Sequence, residues 1–489
     1  MAPPPGSGYR GTVTTPYDEI PYPGLSYSFA HPDRMAVAGR LHGLAAPDPA
    51  RATILELGAG DGSNLLPLAQ LWPEARLIGV DLSAHAIDLA RQRAAALGLT
   101  NVELHHAPLE ALLAQGATPL RADYVIAHGL VSWVPPATRQ ALFALVGQVL
   151  SEDGVAMLSF QTWPGYSDIE PLRALMRHHV ENVADPAKKV QQARDIAVWH
   201  ILRWERLYGP SRTHGLRALY EELAAMPDAV FLHDLLSPEH HPLSLTEIAA
   251  ELAPHGLAWL TNARMNEPRT TQLPDPLREL ARASDDPVRR QQYLDFFLMT
   301  RFRTSLFCRA DAVHAGRVRR DVEPEAFRAF HIAGRVSAEK LGRNPGRGLV
   351  ITTAVGDVTL SDEATRVLVA LSQEMPAAIA AETLLARVAP LSAKDALHAV
   401  AELWLADAIE LSLAPPALAS TLPEHPVASP FARLLAAEGR PTVTSLWHRE
   451  WSLEPAERAA LLAMDGGHPS AAMDAEATRL LLRKGFIHP

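Results

Sequence analysis

The sequence predicts an α/β fold, a largely parallel sheet with helices on both faces, and three observations carry that prediction. The first is segment 53–81, TILELGAGDGSNLLPLAQLWPEARLIGVD, where an apolar strand runs into a glycine turn, a helix, a second strand and a terminal acid. The second is continued alternation: Ser83 caps a helix with Ile87, Ala90, Ala94 and Leu97 at helical spacing, and Gly98 ends it. The strands NVELHHA and ADYVIAHG follow, then a helix from Pro136 with Leu142, Leu145, Val146 and Val149 on one face, then the strand VAMLSF. The third is resumption of the rhythm further on, where VFLHDLL, LAWLTNA and RFRTSLFCRA read as strands around the helix LTEIAAELAPHG and another near 287–298. Such alternation places ligands at the carboxyl ends of the strands.

The first strand leads into Gly58, Gly60 and Gly62, whose missing side chains let backbone N–H groups approach a ligand at a helix N-terminus. Asp81 ends the second strand about 20 residues on, where a carboxylate accepts hydrogen bonds from ribose hydroxyls. The glycine spacing is GxGxG, with Ser63 where a dinucleotide fingerprint has its third glycine, which weakens a nicotinamide reading. With Glu56 the pattern becomes ExGxGxG, and this resembles motif I of class I S-adenosylmethionine (SAM) methyltransferases. A carboxylate at Glu56 suits the cationic methionine end of SAM and repels a pyrophosphate.

Composition narrows the classes further. A chain of 489 residues with 48% hydrophobic content has room for two to four domains with real cores. A formal charge of -10 with interspersed acids and bases argues against a nucleic-acid partner or an anionic membrane surface. Cys308 is the single cysteine, so no intrachain disulfide forms, and its apolar neighbourhood predicts an inert thiol. No signal-peptide pattern opens the chain and no run approaches membrane-spanning length, so a soluble cytoplasmic protein without membrane insertion is expected. The 21 histidines show no ligand spacing such as HExxH, and no metal is expected.

The expected organisation is a segment 1–30, its first dozen residues disordered, followed by a methyltransferase domain 31–312 with a helical insertion at 165–226. A polar connector 313–348 comes next. Residues 349–414, three short helices and the strand AIELSL, read as winged-helix-like and as a docking module for peptide or protein. Past the linker APPALASTLPEHP, residues 425–489 read as a small helical segment.

For chemistry, His128 and Trp133 in AHGLVSWVPP lie where class I enzymes place residues beside the transferred methyl. QTWPGY offers Trp163 and Tyr166, aromatics suited to an alkylammonium or sulfonium. His233 and Asp234 are placed at another strand end, with Asp234 the better holder of a cationic amine. Leu82, Pro108 and Leu109 are expected near the adenine, and Asn64 in the cofactor loop. Ala107 stands where many methyltransferases have an acid for the adenine amino group, and Glu110 is the candidate substitute.

The blocks YDEIPYPGLSYSFAHPDR, ELGAGDG, HGLVSWVPPATRQAL, LSFQTWPGY, FLHDLL and RFRTSLFCRAD resemble the bacterial methyltransferases that carry a methyltransferase regulatory domain, a family that includes lysine methyltransferases of outer-membrane proteins. The resemblance covers roughly 17–312. It implies a Rossmann-like, seven-stranded class I methyltransferase domain with SAM as cofactor, a protein or peptide substrate, and a homodimer formed through the inserted helices. It also implies that Tyr17, Glu19 and Tyr22 fold over the cofactor as a lid, with Glu19, His128 and His233 available to assist proton removal. QTWPGY departs from the family's more usual YNTYPGW. The function expected is N-methylation of protein lysines by in-line transfer, with methylation of a peptide-derived or other natural product as the alternative.

Overall fold

Strand β1 (Thr53–Leu57) sits mid-sheet because both of its faces are apolar: Ile54 points into one core cluster, Leu55 and Leu57 into the other. The computed structural model describes residues 16–114, 120–263, 274–336, 349–353 and 356–489. The N-terminal dozen lies outside the described residues. With β2 (Arg76–Asp81), β3 (Val102–His106), β4 (Ala122–Ala127), β5 (Leu150–Gln161), β6 (Leu257–Asn262) and β7 (Phe302–Arg309), β1 forms a seven-stranded sheet of order β3-β2-β1-β4-β5-β7-β6. β1 runs parallel to β2 and β4, while β7 runs antiparallel between β5 and β6. Tyr124 and Ile126 join the Ile54 face and Val125 and Ala127 the Leu55 face, the period of two expected of strands covered on both sides.

The helical insertion is longer than the sequence suggested. Helices Glu170–His179, Pro186–Tyr208 and Pro210–Ala224 are followed by a fourth, Asp228–Leu235, so VFLHDLL is a helix and not a strand. A short apolar run fits either element by pattern alone. Here Phe231 and Leu235, four apart, bury one helical face among Tyr166, Leu172, Met176 and Leu223, and tertiary packing decides the matter.

The connector also contributes more than expected. Its strand His331–Gly334 is the middle of a three-stranded sheet with Ile379–Ala380 and Ile409–Ser412, because Phe327, Phe330 and Ile332 bury against the helices Asp362–Ser372, Ala381–Arg387 and Ala393–Leu405. The last segment holds the helices Pro430–Ala437, Pro455–Ala463 and Ala475–Arg483. A hairpin, Thr442–Thr444 paired with Glu450–Ser452, accompanies them, so this segment is not purely helical.

Both C-terminal units dock on the main domain. Helix Pro32–Leu41 gives Val37 and Leu41 to the core of the middle unit, and its buried Asp33 accepts hydrogen bonds from Leu413 N at 2.8 Å and Ala414 N at 3.2 Å. Leu66 and Ala94, from the helices after β1 and β2, share a core with Phe431 and Leu435 of the last unit. Among the described residues no helix is long and apolar enough to cross a membrane.

The antiparallel end of the sheet is held by Arg303 of β7, whose Nε lies 2.7 Å from Asp295 Oδ2 on the helix Pro287–Leu298, with both side chains almost fully buried. Asp295→Ala leaves that guanidinium buried without its counterion and is expected to lower stability by about 3–5 kcal/mol. Denaturant unfolding of the two proteins checks this, and coincident curves would contradict it.

Candidate functional site

The glycine turn is built for backbone approach. Gly58, Gly60 and Gly62 have φ of 77°, 52° and 75°, the left-handed region where a Cβ is costly. A Cβ on Gly62 would meet Leu66 at 2.9 Å and one on Gly58 would meet Leu130 at 3.0 Å, whereas one on Gly60 meets nothing within 4 Å. Gly60 therefore faces open space at the carboxyl end of β1. Asp81, ending β2, accepts Gly60 N and Ser83 N, each at 2.8 Å, and burial raises its carboxyl pKa.

Glu56 is 3% exposed at the end of β1. Its Oε1 accepts Asn64 Nδ2 at 2.8 Å, and its Oε2 is buried without a hydrogen-bond partner among the described residues. Burial, opposed by Asn64 and reinforced by Asp81 and Asp61, pushes its pKa up to about 8. A buried carboxylate oxygen with no donor is a place for a cationic or strongly donating ligand group. Nearby Asp61, which burial would raise, is held below its ordinary value by Arg93 at 2.8 Å.

The N-terminal segment folds over these strand ends. Tyr17, at the start of a short helix, stacks on His233 with ring centroids 4.4 Å apart, and Asp18 Oδ1 accepts Ser83 Oγ at 2.6 Å. Tyr27 donates its backbone N–H to Asn64 Oδ1 at 2.9 Å and sets its ring 3.9 Å from that of His128. His128 Nδ1 pairs with Ser159 Oγ at 2.8 Å, which orients the imidazole at the end of β4. Glu19 is exposed.

Of the residues expected near an adenine, Leu82 and Pro108 are half-buried, while Leu109 packs into the core and starts the helix Leu109–Ala114. Glu110, the candidate for the adenine amino group, is exposed and takes a hydrogen bond from Thr138 Oγ1. Leu82 O is met by His106 Nε2 at 3.1 Å.

The structure regroups the aromatic candidates for the acceptor site. Trp163 is 48% exposed, whereas Tyr166 is buried. Trp133 lies against His240 at 4.8 Å, and Tyr166 against the same imidazole at 4.5 Å. Asp234 lies on a helix rather than at a strand end, and Tyr22 Oη approaches its Oδ2 at 3.4 Å. Burial, opposed by the Tyr22 hydrogen bond and the charge of Arg173, pushes Asp234 up to about 7. His233 Nε2 lies 2.7 Å from Ile20 O, so it anchors the N-terminal segment.

Sequence reasoning missed His240. Its Nδ1 is 2.8 Å from Glu170 Oε1, and its Nε2 is buried without a partner among the described residues. Burial, with Arg173 next in effect, pushes it down to about 3, so the ring is neutral at pH 7. The HH pair at 240–241 was visible in sequence, but its approach to Glu170 requires the insertion to fold back.

The family comparisons match this geometry part by part. The family described as "Methyltransferase domain" matches residues 54–154, and "Predicted methyltransferase regulatory domain" matches 227–309. "PKMT, C-terminal winged helix domain" matches 424–485, the unit with the hairpin. An uncharacterised protein of Rickettsia prowazekii is 31% identical over 178 residues, 36% of this chain and 70% of that protein. The chain belongs to the methyltransferases that carry a regulatory domain. A longer match of this methyltransferase, to another uncharacterised Rickettsia prowazekii protein, is 32% identical over 335 residues, 68% of this chain but 59% of that protein. The methyltransferase also shares its fold with PKMT2 from Rickettsia typhi, at a TM-score of 0.80 and 22% identity, over 94% of this chain and 92% of that one.

The glycines separate folding from ligand binding. In this methyltransferase Gly60→Ala meets open space and is expected to weaken S-adenosylhomocysteine binding at least tenfold while costing about 1–2 kcal/mol of backbone strain. Gly62→Ala strikes Leu66 and should lose stability as well as binding. Calorimetric titration beside thermal unfolding checks the split, and unchanged affinity in Gly60→Ala would contradict it.

Proposed function

We propose that the protein transfers a methyl group from SAM to the side-chain amines of lysines in a protein substrate. The observation that carries this reading is the orphaned, buried Oε2 of Glu56 beside the open face of Gly60. A methionine ammonium satisfies that oxygen with a charge-assisted hydrogen bond, stronger than a neutral donor supplies. Asn64 holds the other Glu56 oxygen, Gly58, Gly60 and Gly62 shape the turn, and Asp81 accepts the ribose hydroxyls in exchange for its present backbone donors. Leu82, Pro108 and Leu109 border the adenine, and Tyr17 and His128 close the site from above.

Bound SAM supplies a methyl carried on a positively charged sulfonium. The protein must present a neutral amine to it. A lysine amine in water has a pKa near 10.4, so about one in 2,500 is neutral at pH 7, a deficit of about 4.6 kcal/mol. Burial of the amine beside Tyr22, Tyr166 and Trp133 would remove water and lower that pKa. Asp234, with a pKa near that of the medium, attracts the incoming ammonium and takes its proton. His240, held neutral by burial, is too weak a base to take that proton, and it packs instead against Tyr166 and Trp133.

A protein substrate is supported by the docked C-terminal units and by the naming of both the winged-helix family and the Rickettsia typhi protein as PKMT. A homodimer is supported by the helix Pro186–Tyr208, which exposes Trp199 at 74%, Leu202 at 54%, Leu207 at 52% and Tyr208 at 49%. The cytoplasm suits a chain with one buried, unpaired cysteine.

Glu56 is largely protonated below about pH 8 and must lose its proton when an ammonium arrives. S-adenosylhomocysteine binding is therefore expected to release a proton near pH 7 and to weaken as pH falls. Calorimetry in buffers of different ionisation enthalpy checks this, and buffer-independent heats would remove Glu56 as the partner. Incubation with labelled SAM and fractionated lysate should label protein, and Asp234→Asn should cut that labelling about 100-fold with S-adenosylhomocysteine affinity retained. Label confined to small solutes would sink the protein-substrate reading in favour of a natural-product acceptor.

A further inference from the structure

The hairpin of the last unit reaches into the cofactor end of β1. Between its strands the chain turns at His448, which is 2% exposed and has φ 56°, a left-handed backbone that glycine favours. The turn is closed by His448 N to Ser445 O at 2.8 Å and tied to the middle unit by Trp447 Nε1 to Pro376 O at 2.9 Å. A bulky residue held in this conformation, buried across a domain boundary, is a candidate for a role beyond packing.

His448 Nε2 lies 2.8 Å from Asn64 Oδ1, the amide whose nitrogen is bound to Glu56. The direction of that contact follows from the chemistry of the three partners. Tyr27 N–H can only donate, so the amide atom that it meets at 2.9 Å is the oxygen. His448 must then donate through Nε2–H, and burial keeps its ring neutral, with its pKa well below the ordinary value. Two donors on Oδ1 leave the amide no freedom to flip, and its Nδ2–H is aimed at Glu56 Oε1. Oε2 is the oxygen left for a ligand.

We propose that His448, from the last unit, is a positioning residue for the cofactor site, acting through Asn64 to orient the Glu56 carboxylate toward the amino-acid end of the ligand. The proposal rests on the reading of the site as one for SAM. It makes the last unit part of the cofactor site and not only a platform for substrate. The same hairpin pins the segment above the site: Glu450 Oε1 accepts Ser26 N at 2.7 Å, and Thr444 Oγ1 shares a 2.7 Å hydrogen bond with Ser26 Oγ.

The whole 489-residue chain tests this with two ligands that share adenosine and differ in the amino-acid tail, S-adenosylhomocysteine and 5′-methylthioadenosine. His448→Gly suits the left-handed backbone and removes only the imidazole. It should weaken S-adenosylhomocysteine about tenfold or more and leave 5′-methylthioadenosine within twofold of the unsubstituted protein. His448→Gln, whose amide N–H can reach Asn64, should recover most of the loss. Equal S-adenosylhomocysteine affinity in His448→Gly overturns the proposal, and so does an equal loss of both ligands, which marks a packing role. If the unsubstituted protein binds neither ligand, the SAM reading itself fails.

Discussion

A carboxylate buried at the end of the central strand, Glu56, is the constraint around which the rest of the site is arranged. An ionised acid in such a place is costly unless it is paired or hydrogen-bonded. One oxygen is satisfied by Asn64, which is held in turn by the N-terminal segment and by the last unit, and the other oxygen is left for a ligand. Three stretches far apart in the chain therefore converge on one side-chain amide.

That convergence explains why a small α/β domain carries so much additional chain. Arg93 joins the glycine turn to the last unit, with Nη1 2.8 Å from Asp61 Oδ2 and Nη2 2.7 Å from Glu438 Oε2. Gly24 packs against the same turn, since a Cβ there would lie 2.0 Å from Asp61 Oδ1. Helix Pro32–Leu41 is shared between the sheet and the middle unit. The C-terminal units thus meet the main domain through buried contacts, those of the last unit beside the glycine turn.

The acceptor site proposed here follows a different logic. Its groups come from the insertion and the segment after it: Asp234 on a helix, Tyr166 on the turn after β5, and His240 on the loop that returns to the sheet. His241 N bonds Ser132 O at 2.8 Å and Leu243 N bonds Gln161 O at 3.1 Å, which hold that loop across the ends of β4 and β5. His240 and Asp234 are both pushed toward their neutral forms, the imidazole by a lowered pKa and the carboxyl by a raised one. Both have shifted chiefly because they are buried.

Local rules determined a great deal. Alternating apolar faces, the glycine turn and the acids at the first strand ends are written in neighbouring residues, so the parallel part of the sheet and the positions of Glu56, Gly60 and Asp81 were legible from local pattern, whereas the count of seven strands came from the family resemblance. The run VFLHDLL was misread as a strand because a short apolar stretch has no decisive period, and only the packing of Phe231 and Leu235 against the insertion makes it helical. Trp163 and Tyr166 were indistinguishable by type, and tertiary packing exposed one and buried the other. Tertiary structure alone decided that His240 meets Glu170 and that His448 meets Asn64, since such contacts span up to 384 residues and depend on which surfaces dock. Sequence determines what each short segment prefers to be, whereas burial, and with it the charge of every group in the site, belongs to the assembled whole.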